Sequence, residues 1–252
     1  TDRSQSTTTR HGADYALLLS KYKKVYAWAG HVHNSFNYVY DAASKFPNIE
    51  VHTVSRATGA LWINEWLCED GTPRGYIVAE ADGENLSWQF KPIAYQSKTA
   101  VGEIPSYTLR DFTFNADGVA MRGGKKLDAT YQLRAYPRGT YDDKYVYANV
   151  FMYDEKWGDV KFTSSKNGSA VMSKVTEKNR KYDAAYKEVF DFYKASGSAL
   201  SSSADFKLFD NSGNVATPVT HLFRCYSSAE SDSGTVTVTD RFGNEYSTTV
   251  SW

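Results

Sequence analysis

Beyond about residue 97 the chain is a succession of short strand-like runs cut by turn residues, and that rhythm restricts it to a β-rich fold. Runs at 108–114, 128–136, 145–153, 159–162 and 169–174 are rich in β-branched and aromatic residues, and Asp117-Gly118 and Gly123-Gly124 punctuate them. Two further runs, 235–239 and 246–251, flank a turn at 240–244 and predict a terminal hairpin. Strands at this spacing predict a β-sandwich. One helix interrupts them: Tyr182, Ala185, Tyr186, Val189, Phe190 and Tyr193 share a face, and Gly197 lies just past its end. The Ser-rich stretch 196–203 reads as a loop, without the Gly-x-x-x-x-Gly-Lys spacing of a phosphate cradle.

The first part of the chain reads differently. Tyr15, Leu18, Leu19 and Tyr22 fall on one face of a helix over 12–22, with Lys21, Lys23 and Lys24 near its negative pole. Residues 25–29 form a short apolar run that predicts a buried strand, ended by Gly30. A long loop is expected through Pro47, then a strand over 49–55 and an irregular aromatic stretch over 57–66. Residues 69–73 are a strong turn signal, and 76–81 and 86–93 around Asp82-Gly83 predict a β-hairpin. The pattern weakens around 95–102, which places a domain boundary between residues 96 and 97. The expected fold class is α+β and β-rich: an α/β-like portion over 1–96, then a β-sandwich-like domain with one helix over 97–252.

Composition excludes several classes. Lys and Arg total 29 against 29 Asp and Glu, so no electrostatic case exists for a nucleic-acid binder. No apolar stretch reaches the roughly 18–20 residues of a membrane span. Aromatic residues make up 15% of the chain, which argues against disorder. Cys68 and Cys225 are too few for a disulfide framework or a thiolate metal site, leaving either one long-range bridge or two unpaired thiols. The polar opening TDRSQSTTTR, which does not begin with Met, reads as the start of a processed or truncated piece.

One constellation carries chemistry. Gly30-His31-Val32-His33 follows the apolar run 25–29. Imidazoles two apart on an extended loop can face one way, and neutral imidazole is a common ligand for zinc, iron and manganese. A glycine before the first His lets the backbone turn and admits close neighbours. The competing reading is a surface or packing pair.

The stretch Tyr26-Ala27-Trp28-Ala29-Gly30-His31-Val32-His33-Asn34 resembles the last metal-binding motif, Gly-His-x-His, of the calcineurin-like metallophosphoesterases. Further segments are similar to a bacterial branch with a dedicated C-terminal domain. They are residues 58–62, Cys68 to Tyr76, Trp88-Gln89-Phe90-Lys91, 146–150 and Thr239-Asp240-Arg241-Phe242-Gly243. The resemblance covers most of the chain from about residue 12. It implies a remnant of an α/β metallophosphoesterase sandwich followed by that C-terminal domain. It also implies two divalent ions (Mn, Fe or Zn) that activate water against phosphate mono- or diesters. Carried over by position, His31 is expected on the second metal, His33 on the first, and Asn34 at the substrate rim. The family's other ligands come from Asp-x-His, Gly-Asp-x-x-Asp, Gly-Asn-His and a further His. None of the three multi-residue patterns stands upstream of residue 30, where the one histidine is His11. Two imidazoles leave such a centre incomplete, so this chain alone is expected to bind no metal tightly and to be inactive. The family type also implies export to the periplasm or outside the cell.

Other candidates were weighed. His11 is a distant fit to the family's penultimate His ligand, against a helix-terminal surface His; His52 either lines the cleft or is structural; His221 reads as structural. Glu65, Glu69 and Asp70 hold the carboxylates a glycosidase needs, but Asp70-Gly71 is better explained as a turn. Trp62, Trp66, Trp88, Tyr136, Tyr141, Tyr145 and Tyr147 are either a sugar platform or core. The functional alternative is therefore a non-catalytic β-sandwich module that binds carbohydrate or a cell-surface partner.

Overall fold

A computed structural model describes residues 12–30, 34–39, 47–57, 67–92, 113–114, 120–122, 125–126, 131–195, 208–216 and 219–252. The fold is α+β and β-rich. Two four-stranded antiparallel sheets face each other. The first runs β13 (Ser173–Lys174), β14 (Leu222–Tyr226), β10 (Tyr145–Val150), β9 (Leu133–Tyr136); the second runs β12 (Gly168–Val171), β11 (Lys161–Ser164), β15 (Ser233–Thr239), β16 (Glu245–Ser251). This is the predicted sandwich.

Alternation explains the layers. On β10, Val146, Ala148 and Val150 turn inward to meet Phe162, Val236, Val238, Tyr246 and Val250 of the second sheet. The alternate residue Tyr147 turns outward and packs with Tyr136, Leu222 and the helix α2 (Ala184–Ala195) through Ala185, Tyr186 and Phe190. β10 is therefore buried on both faces, whereas β16 alternates buried and exposed residues because its outer face meets water. Three layers result: helix, sheet, sheet. Burying one large aromatic side chain contributes on the order of 2 kcal/mol, so Tyr136, Tyr147, Phe151 and Phe162, all fully buried, anchor these layers.

The earlier part of the chain forms a three-stranded sheet in the order β1 (Val25–Ala29), β3 (Ile49–Thr53), β2 (Phe36–Val39) and the hairpin β4 (Gly75–Asp82)–β5 (Asn85–Pro92). β1 and β3 are parallel and β2 is antiparallel to β3. A small sheet, β6 (Thr113–Phe114), β7 (Ala120–Arg122), β8 (Lys125–Lys126), lies between the two regions in sequence. The boundary at 96/97 lies outside the described residues. Contacts nonetheless cross it: the Asn37 side-chain amide donates to the Met152 and Tyr153 carbonyls at 2.7 and 3.0 Å, and Gln132 donates to the Phe90 carbonyl at 2.8 Å.

Several expectations are corrected. β1 is not interior. It is an edge strand paired on one side only, its residues are half-buried or exposed, and the buried strand is the central β3. Its apolar residues are used laterally: Trp28 stacks on His52 at 4.7 Å, and Tyr26 meets Trp88 edge-on at 5.4 Å. The first helix, α1 (Gly12–Leu19), ends three residues early. The Asn48 side-chain amide caps it, donating to the Tyr22 carbonyl at 2.6 Å and the Leu19 carbonyl at 3.4 Å. Its expected inner face is exposed, with Tyr15 at 61%, Leu18 at 54% and Tyr22 at 63%. The predicted loop before Pro47 contains β2, too short to announce itself, and β14 was unforeseen. The strand predicted over 145–153 stops at Val150, because Met152 takes a positive φ of 57°.

α2 starts at Ala184 rather than Tyr182 because Asp183 caps it, its Oδ1 accepting the Tyr186 amide at 2.9 Å. The helix-face residues Val189 and Tyr193 and the terminal Gly197 lie outside what is described of side chains there. Both cysteines are free, which settles that alternative against a bridge. No helix among the described residues is long and apolar enough to cross a membrane.

Candidate functional site

β1 brings Gly30 to its carboxyl end, where site residues of parallel α/β units usually lie. A Cβ placed on Gly30 meets open space, so close neighbours are not what this glycine serves. His31, Val32 and His33 lie outside the described residues, as do His11, Trp62, Glu65 and Trp66. The next residue, Asn34, is buried, and its Oδ1 has no hydrogen-bond partner. A buried acceptor left open beside the His-x-His motif is the feature expected where a bound group completes the coordination of a site.

The following residue is held firmly. The Ser35 amide donates to Asp70 Oδ2 at 2.6 Å, and Ser35 Oγ meets Thr72 Oγ1 at 3.3 Å. Asp70 begins a tight turn: its Oδ1 accepts the Thr72 amide at 3.0 Å, and Gly71 adopts φ 77°. The turn reading of Asp70-Gly71 is therefore the right one, and the Asp70 carboxylate is fully used.

From the other side of the molecule, His221 reaches Asp70. Its Nε2 lies 3.1 Å from Asp70 Oδ2, and its Nδ1 lies 2.6 Å from Asn149 Oδ1. The Asn149 amide nitrogen donates to the Asp70 carbonyl at 2.7 Å and to Asp183 Oδ2 at 2.9 Å. Because both those partners only accept, the Asn149 oxygen must be the atom facing the ring. Both ring nitrogens of His221 then face acceptors, the Asn149 amide oxygen and the Asp70 carboxylate. Asp183 also accepts the Tyr136 hydroxyl at 2.5 Å. Burial pushes the Asp183 carboxyl up, and burial followed by the Asp183 charge pushes the Tyr136 phenol up. His221 is thus structural, as expected. What spacing did not reveal is that it braces the turn holding the loop after the His-x-His motif; Asp70 and His221 are 151 residues apart.

A second cluster braces β3. Glu50 is paired with Lys156 and with Arg241, the latter at 2.5 Å, and His52 Nε2 lies 3.4 Å away. Burial pulls the Glu50 carboxyl up, but hydrogen bonds from His52, Arg241 and Lys156 win and hold it at about 2. His52 is 1% exposed, shares a 3.0 Å hydrogen bond with Asn37 and stacks on Trp28. It is a packed structural residue. Of the aromatic candidates, Tyr136, Tyr141 and Tyr147 are core, whereas Trp88 lies half-buried in a groove.

Among the described residues no group of three or more His, Cys, Asp and Glu is placed to hold a metal ion. The donors available are the two imidazoles known from sequence and the open Asn34 oxygen. That set fits a share of a metal centre and not a whole one.

The described residues form a β-sandwich with one covering helix, joined through buried polar contacts to a small mixed sheet of β1, β3 and β2. Residues 52–246 match the family described as the C terminal of calcineurin-like phosphoesterase, and the chain belongs to that family. The Gly30–Asn34 stretch lies upstream of the matched residues. No curated protein and no solved structure matches the chain.

Proposed function

We propose that this chain is the carboxyl-terminal part of a metal-dependent phosphoesterase acting on phosphate mono- or diesters, and that alone it is inactive. Family membership over residues 52–246 is the observation that carries this reading. Asn34 supports it, since its open Oδ1 lies one residue from the motif. When bound, the two ions supply a hydroxide nucleophile and charge neutralisation at the phosphate. His31 and His33 would hold them, with the rest of the ligands provided from outside this chain. Asn34 orients the attacking water or a substrate hydroxyl through its free acceptor. Asp70, held by His221, anchors the Ser35 amide and so the backbone that follows Asn34.

Two measurements test this reading. In the full-length enzyme, His31→Ala and His33→Ala should each lower kcat/KM by about a hundredfold or more and reduce metal content below two ions per chain. Wild-type rates in both variants would overturn the assignment. The isolated 252-residue chain should bind neither manganese nor zinc tightly; two tightly held ions would refute its incompleteness.

A further inference from the structure

A groove of about 560 Å³ lies beside the amino end of β1. Three separate segments build it: Lys24 and Tyr26 from β1 and its approach, the β4–β5 hairpin around Trp88, and Lys156, Arg241 and Phe242 from turns of the sandwich. Its volume is within the range of small-ligand sites.

The floor is aromatic and rigid. Trp88 is held edge-on by Phe242 at 4.8 Å, by Tyr26 at 5.4 Å and by Trp28 at 5.1 Å, and the Arg241 guanidinium covers its ring at 4.9 Å. Ala81 pairs with Leu86 in the hairpin, so a small residue stands on the Trp88 side of the hairpin. Phe242 remains 36% exposed. Phe242, apolar and fixed against Trp88 before any ligand arrives, loses little entropy on binding.

The rim is polar without an excess of either charge. Lys156 and Arg241 share Glu50, and Arg241 Nε also lies 3.5 Å from Asp154, so both cations already face carboxylates, while Arg241 Nη2 keeps an open donor. The remaining charges are Lys24 against Glu80 and Asp82, and Asp82 and Asn85 flank the turn at one end of the groove. The side chains of Lys24, Asp82 and Asn85 make no ion pair or hydrogen bond among the described residues. Uncommitted donors and acceptors around an aromatic floor suit a ligand with an apolar ring face and several hydroxyls.

We infer that this groove binds a neutral oligosaccharide, with a pyranose ring laid on the exposed Phe242 ring and its hydroxyls bonded to Asp82, Asn85 and Lys24. The site is independent of phosphoester hydrolysis and of any metal.

The test is titration of the whole chain with cellotetraose, xylotetraose, mannotetraose and chitotetraose, with sodium phosphate and sodium sulfate as anionic comparators, followed by calorimetry and tryptophan fluorescence. At least one tetrasaccharide should bind saturably and shift the tryptophan emission. Phe242→Ala and Asn85→Ala should each weaken binding by about tenfold. Lys24→Ala, at an exposed position, should weaken it while leaving the thermal midpoint unchanged. Absence of binding by all four glycans overturns the inference. So does equal binding by Asn85→Ala and Lys24→Ala proteins that melt like the parent chain. Saturable phosphate or sulfate binding without glycan binding also overturns it and reassigns the groove to anions.

Discussion

Asp70 Oδ2 lies 3.1 Å from His221 Nε2, and both side chains are almost completely buried. The pair joins the turn between β3 and β4 to the start of β14. Removing one partner strands the other. His221→Ala leaves Asp70 Oδ2 without its buried imidazole partner and Asn149 Oδ1 without the ring nitrogen it faces, and should cost about 3 kcal/mol or more in chemical denaturation. A double-mutant cycle with Asp70→Asn should show a coupling on the order of 1–3 kcal/mol. Additive losses would mean that the two groups act separately.

Gly71 combines two constraints. Its φ is 77°, and a Cβ there would stand 2.0 Å from Asp183 Cγ. Gly213 has a similar φ of 79° but open space around it. Gly71→Ala should therefore cost on the order of 3 kcal/mol or more and Gly213→Ala about 1 kcal/mol. Urea midpoints of the two variants check the ranking, and equal losses would refute the packing argument.

Glu50 makes a specific acid-limb prediction. Its folded carboxyl is held at about 2 against an ordinary value of 4.5. A depressed carboxyl contributes stability that is complete above the unfolded value and is lost as pH falls through the folded one. Between about pH 4.5 and about 2, Glu50→Gln should therefore lose less stability than the parent chain. Asp154 and Asp183, raised chiefly by burial, act in the opposite sense and are present in both proteins. Identical acid unfolding curves would show that Glu50 is not responsible.

The thiols should be inert in the native state. Burial pushes Cys68 up to about 12 and raises Cys225 as well. Iodoacetamide at pH 8 should leave Cys68 unmodified in intact-mass measurements until the chain unfolds, with the half-buried Cys225 reacting slowly. Dithiothreitol should not move the thermal midpoint, since no disulfide joins the two.

Asn34→Ala separates function from stability. Because Asn34 Oδ1 has no partner, the substitution should change folding stability by less than about 1 kcal/mol. In the full-length enzyme it should nonetheless lower kcat/KM by about tenfold or more. A large stability loss would instead assign the side chain a structural role.

Periodicity determined much of the architecture. Alternation in 145–150 and 246–251 and turn residues at Asp82-Gly83 and 240–244 specify strands and hairpins, because side-chain direction follows backbone repeat. The His-x-His motif and the segments around Trp88 and Asp240 were also readable, since they are contiguous in the chain. Tertiary structure alone decided the rest. It made β1 an edge and β3 the interior strand, because an apolar run reports hydrophobicity and not which neighbours pair with it. It turned the apolar side of α1 outward. It also joined Asp70 to His221 and Trp88 to Phe242, contacts set by packing between segments far apart in sequence, which no local spacing encodes.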